Sequence, residues 1–220
     1  MKHVGLSIIL AICAIDLYAQ KITFDAYAGM ITSTLRGDED KLLSSGRFDR
    51  RYAFQGGLLI SVPVNDFLKF KTGIQYSQRG AAIQASSFFY SVVYVATTVK
   101  IDCVEVPLLF ALGRENVHVF AGPQISFVSR SDVKGLQSPE YGIKYGLGFD
   151  FSRIVSAQIL FYHGLTNMTG SSEAKMYNRY MGLVIGARIF SVNVAERDKE
   201  TSTRKRKKKK EFEVPHRTID

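Results

Sequence analysis

Alternation with a period of two is the feature that most limits what this chain can become. It is clearest in "EYGIKYGLGFDF". There Tyr141, Ile143, Tyr145, Leu147, Phe149 and Phe151 share one face, and Gly142, Lys144, Gly146, Gly148 and Asp150 share the other. Successive side chains of a strand point to opposite sides, so such a segment has one apolar and one polar face. Similar segments recur near residues 22–31, 51–62, 67–80, 97–112, 116–127, 140–151, 154–165 and 178–191. In "LKFKTGIQYSQRGA", Leu68, Phe70, Thr72, Ile74 and Tyr76 oppose Lys69, Lys71, Gln75 and Arg79. The joints between segments alternate between short ("PVND", "GREN", "SR") and long (32–50, 81–96, 128–139, 166–177). Eight strands with this rhythm predict an all-β fold, an eight-stranded antiparallel up-and-down transmembrane β-barrel.

A soluble barrel that binds an apolar ligand would show the same alternation with its apolar face inside. Three features favour the membrane version. Residues 1–19 read as a signal peptide: Lys2 and His3 precede an apolar run that ends in "LYA" at Ala19. The loop rhythm is the second, and the Tyr and Phe residues near strand ends are the third. The absence of Trp also removes the lipocalin-type Gly-x-Trp signature. The domain reading is therefore a signal peptide at 1–19, a barrel at 20–191 and a charged, unstructured periplasmic tail at 192–220. An even number of strands puts both termini on the periplasmic side.

In a barrel this narrow, side chains fill the interior. The polar parity then becomes a buried network with a structural role: Lys69, Lys71, Gln75, Arg79, Glu105, Gln124, Lys144, Asp150, Gln158, Tyr162 and Arg188. Buried charges need partners, and Lys71 with Glu105, on neighbouring strands, is the first pair expected. Lys100 and Asp102 share the outward parity of Val104 and Val106, which predicts a position near the rim or a bulge.

Chemistry-bearing motifs are sparse. Cleavage after Ala19 leaves Cys103 as the one cysteine, read as a small wall residue. No CxxC, HxxxH or phosphate-binding loop is present, so neither a metal nor a cofactor is expected. An outer-membrane lipid-modifying enzyme is the catalytic alternative. It would need His163, near the end of the seventh segment, to meet a serine such as Ser171 or Ser172. The formal charge of +9 owes much to Arg204, Lys205, Arg206, Lys207, Lys208, Lys209 and Lys210. A secreted protein has no nucleic acid to bind, so this block reads as an electrostatic tether to an anionic envelope surface.

Two stretches carry a resemblance. Gly73, Tyr76, Ser77 and Gly80, followed by Glu105, Val106, Pro107, Leu108 and Leu109, resemble motifs of the PorT-like outer-membrane β-barrel proteins of Bacteroidota. "FAGP" (120–123) and "YGIKYGLGFD" also fit, and the resemblance covers roughly residues 20–191. It implies a non-enzymatic protein embedded in outer-membrane lipid, with no common catalytic residues. It further implies a structural, surface-interaction or secretion-accessory role of the type IX kind, with periplasmic or secretion-machinery partners.

Overall fold

The computed structural model describes residues 21–38, 47–86, 93–114, 116–133, 135–170 and 174–192. The signal peptide expected at 1–19, the basic block at 204–210, and Ser171 and Ser172 lie outside them.

The strands are β1 (Ile22–Gly37), β2 (Arg47–Asp49), β3 (Arg51–Pro63), β4 (Leu68–Ser86), β5 (Val93–Arg114), β6 (Val117–Ser131), β7 (Glu140–Asp150), β8 (Val155–Gly164) and β9 (Met176–Val192). Their order is β4-β3-β1-β9-β8-β7-β6-β5, and a β4–β5 pairing closes the ring. All pairings are antiparallel. The first and last strands join from Ile22–Val192 to Gly37–Met176. Short β2 pairs with β4 beyond the end of β3 and is separated from β3 by Arg50 alone. It prolongs the β3 stave, so the ring has eight staves.

At one end, which also holds the start of β1 and the end of β9, the turns are tight. Asn65 Oδ1 accepts the N–H groups of Phe67 and Leu68 at 2.9 and 2.8 Å. Ser152 Oγ does the same for Ile154 and Val155 at 3.2 and 3.0 Å. These side chains mimic a backbone turn and reverse the chain in few residues. This is the terminal end of the barrel.

The opposite end corrects several sequence-based boundaries. Strand character runs well into the expected long connections: β4 has 19 residues and β5 has 22. About 10 residues suffice to cross the hydrocarbon, so the wall continues past it. The period-two signal faded there because both faces of these extensions carry mixed residues. Lys100 and Asp102 keep the outward parity of β5, beyond the apolar belt; the bulge nearby, at the shift from Asp102–Arg130 to Cys103–Val128, does not account for them. The extra residue lies on β6, so β5 keeps its parity.

The outer surface is apolar: Met30, Leu58, Ile74 and Leu183 are 56–65% exposed. Arg79, Glu105, Gln75 and Gln124 are almost fully buried inside. A soluble barrel has the reverse arrangement. Water cannot cover such a belt, whereas lipid can.

Candidate functional site

The interior is stacked in layers. At the terminal end a cavity of about 230 Å³ is lined by Lys21, Asp25, Lys69, Lys71, Asp150, Ser156, Gln158 and Arg188, among others. Arg188 Nε donates to Asp25 Oδ1 at 3.3 Å. Lys71 Nζ lies 2.7 Å from His118 Nε2, and His118 Nδ1 lies 4.0 Å from Asp150 Oδ2.

Above this mouth comes an apolar layer that includes Tyr27, Leu59, Leu109, Phe120, Leu160 and Val184. Glycines on the inward face of β7 make room for rings. A Cβ on Gly148 would sit 2.1 Å from His118 Nε2, and one on Gly142 would sit 2.4 Å from the Tyr162 ring.

The next layer is centred on Arg79. Its Nη1 donates to Glu140 Oε2 at 2.7 Å, and Nε donates to Glu105 Oε1 at 2.9 Å. Nη2 also donates to Glu105 Oε1, and to Ser126 Oγ at 2.9 Å. The guanidinium carbon lies 4.4 Å from the Tyr162 ring centroid and 4.9 Å from that of Tyr180. A planar, delocalised cation suits both the carboxylates and the ring faces. Around this centre, Gln55 Nε2 and Tyr180 Oη each donate to Glu105 Oε2 at 3.2 Å. Asn178 Nδ2 donates to Glu140 Oε2 at 3.1 Å. Lys144 Nζ donates to Gln75 Oε1 at 2.7 Å, and Gln124 Nε2 donates to Tyr180 Oη at 3.2 Å. The layer holds two cations, Arg79 and Lys144, and two anions, Glu105 and Glu140.

An apolar cap closes the far end: Leu35, Phe48, Ala81, Ile101, Cys103, Met168 and Met176. Phe48 comes from β2, and Met168 from the β8–β9 connection. The interior therefore opens towards the terminal end and is stoppered at the other.

All eleven residues expected inside the barrel face the interior, but they do not form one network. Arg79, Glu105, Gln75, Gln124, Lys144 and Tyr162 gather in the central layer. Lys69, Lys71, Asp150, Gln158 and Arg188 line the terminal mouth. The expected Lys71–Glu105 pair does not form. In the β4–β5 register Lys71 faces Leu109, while Gln75 faces Glu105. Arg79, further along β4, folds back to take the carboxylate. Glu140, Asn178, Gln55, Ser77, Ser126 and His118 are further polar members of the interior. Glu140 and Asn178 share parity with Lys144 and Tyr180, so extending the alternation to the strand starts would have found them. The two apolar layers had no such signal, because inward Ile, Leu and Phe break the apolar-out pattern. His163 lies on the outer wall, paired in register with Ile143 and Arg179. Cys103 is buried in the apolar cap. Among the described residues no cluster of His, Cys, Asp and Glu could hold a metal ion.

Comparison with known proteins bears on this architecture. No curated protein matches the chain significantly in sequence. Among solved structures, Neisserial surface protein A is similar with a TM-score of 0.50 at 13% identity, over 76% of this chain and 97% of that one. OprG of Pseudomonas aeruginosa is similar with a TM-score of 0.39 at 11% identity, over 78% of this chain and 96% of that one. Ail of Yersinia pestis gives 0.38 at 12% identity, over 77% and 99%. At 13% identity the likeness to Neisserial surface protein A concerns the fold alone. A family model described as the outer membrane protein beta-barrel domain matches residues 18–170. With its closed ring, apolar belt and filled polar interior, the chain is an outer-membrane β-barrel and belongs to the outer membrane protein beta-barrel domain family.

Proposed function

We propose that this barrel is non-enzymatic and acts through its surfaces, in a structural, surface-interaction or secretion-accessory role. One observation carries the reading. The groups best suited to chemistry, Arg79, Glu105, Glu140 and Lys144, are fully buried and engaged with one another or with amides and hydroxyls. Little interior remains for a substrate or a water-filled path. Work then falls to the wall, the connections and the terminal end.

The tight turns and both ends of the described chain share one side, which supports an orientation with periplasmic termini. The basic block Arg204–Lys210 then lies in the periplasm and tethers the protein to anionic envelope polymer or lipid. The PorT-like resemblance favours a Bacteroidota envelope and partners in type IX secretion.

Affinity capture of the intact protein in mild detergent tests the accessory role. Co-purification of secretion components supports it, and their consistent absence reduces the reading to a structural or surface role. Planar-bilayer recordings test the closed interior, where a large steady conductance would overturn it. Removing residues 196–220 should leave the barrel folded and reduce retention on anionic vesicles at low salt. Equal retention would remove the tether.

A further inference from the structure

On the outer wall near the stoppered end, the apolar belt gives way to a basic row. Arg179 on β9 is paired with Thr34 on β1 and with His163 on β8. Arg50 lies one residue beyond the Ser33–Arg51 pair, next to Thr34 on the other side. Arg50, Thr34, Arg179 and His163 thus run side by side across four neighbouring staves. Arg36 stands two residues further along β1. Arg36, Arg50, His163 and Arg179 line one shallow hollow of about 220 Å³, floored by Tyr145 and Phe161. Those two rings stack with centroids 5.5 Å apart.

All three arginines are exposed, and among the described residues none has a carboxylate partner. Nearby acids are engaged elsewhere. Asp49 accepts the Arg50 backbone N–H at 2.7 Å and also the Gln84 amide. Asp38 accepts the Lys175 backbone N–H at 3.1 Å.

We infer that this row is a binding site for the headgroup of a diphosphorylated glycolipid. The position supplies the first argument. The row sits on the lipid-facing wall where aromatic residues end the apolar belt, which is the depth of lipid headgroups. The chemistry supplies the second, since guanidinium forks match phosphate oxygens in pairs. The third is length. From Arg50 to Arg179 two interstrand gaps span about 10 Å, more than one phosphate fills, and with Arg36 further along β1 this suits two phosphates separated by sugar rings. The aromatic floor offers an apolar face to the sugars and the first acyl carbons.

The inference goes beyond the surface role proposed above, and it rests on that role's orientation only for which leaflet supplies the lipid. Binding in micelles is independent of orientation, so the two can fail separately. The test is titration of purified, folded protein in neutral detergent with diphosphorylated lipid A, read by native mass spectrometry and by the thermal unfolding midpoint. Its controls are dephosphorylated lipid A, phosphatidylglycerol and inorganic phosphate. The diphosphorylated lipid should bind and raise the midpoint, with much smaller effects from the controls. The triple variant R36Q/R50Q/R179Q should lose affinity at least about tenfold. R153Q, at the tight turn of the terminal end, should bind like the parent protein. The three single variants should each weaken binding, which keeps the test valid if the triple variant misfolds. Equal binding of the dephosphorylated lipid, phosphatidylglycerol or inorganic phosphate would overturn the inference, as would unchanged affinity in the arginine variants.

Discussion

Around Arg79, two cations and two anions are sealed between apolar layers. At the terminal mouth, among the described residues, Lys21, Lys69, Lys71 and Arg188 face only Asp25 and Asp150. Both sets draw on β4 and β7, yet solvent makes their electrostatics different. In the central layer a charge without a partner has no water to turn to, so each charged group is set against an opposite charge or a hydrogen-bonding side chain. At the mouth the Arg188 and Asp25 side chains are 27% and 21% exposed. Water and ions screen the imbalance there. The same residue types therefore hold the barrel together in one place and merely decorate it in the other.

The strongest way to break this contrast is Arg79→Met. It strands Glu105 and Glu140 together and should cost about 5 kcal/mol, the upper range for removing one partner of a buried ion pair. The urea midpoint of the folded band, followed by heat-dependent gel migration, reads it out. Adding Glu140→Gln to Arg79→Met should recover a substantial part of the loss, because Glu105 is then balanced by Lys144 and no charge is left in excess. Without recovery, the damage would be one of packing and not of charge. Glu105→Ala alone leaves Arg79 with Glu140 and should cost about 3 kcal/mol. An unchanged midpoint would mean that this layer is wet.

Gly148→Ala probes the boundary between the two regions. It drives a methyl into the His118 ring and should lower stability by about 1–3 kcal/mol. The smallest effect belongs to the mouth. Asp25→Asn removes a part-exposed ion pair and should cost less than about 1 kcal/mol, with the loss vanishing in high salt. A salt-insensitive loss as large as that of Glu105→Ala would erase the distinction between the regions.

Much of this was readable in the sequence because the solvent is inverted. Lipid outside and a narrow interior impose a strict parity, and parity alone placed residues as distant as Lys69 and Arg188 inside. Parity carries no height, however. It could not tell that Lys71 belongs to the mouth and Arg79 to the centre, because that depends on strand register and on how far a long side chain folds back. Glu140 was missed because it opens β7, where a pattern has no preceding residue to confirm it. The apolar layers were missed because Leu59, Leu109 and Leu160 point inward for packing, against the general rule. The basic row on the wall was invisible for a related reason. Arg50, Arg179 and His163 are far apart in sequence, and only the pairing of β3, β1, β9 and β8 sets them side by side.

The clearings on β7 limit how this protein can change over generations. The clearest case is Gly148, where all the nearest atoms to an added Cβ belong to the His118 ring, whereas Gly146 and Gly142 also face the carbonyl oxygens of Ile159 and His163 at 2.1 and 2.6 Å. Filling a clearing first brings a collision, and shrinking a ring first leaves a hole. Either single step lowers fitness before the second can restore it. Gly148 and His118 should drift together or not at all, so that lineages with a larger residue at position 148 carry a smaller one in place of His118, while Gly142 and Gly146 stay glycine because backbone also crowds them.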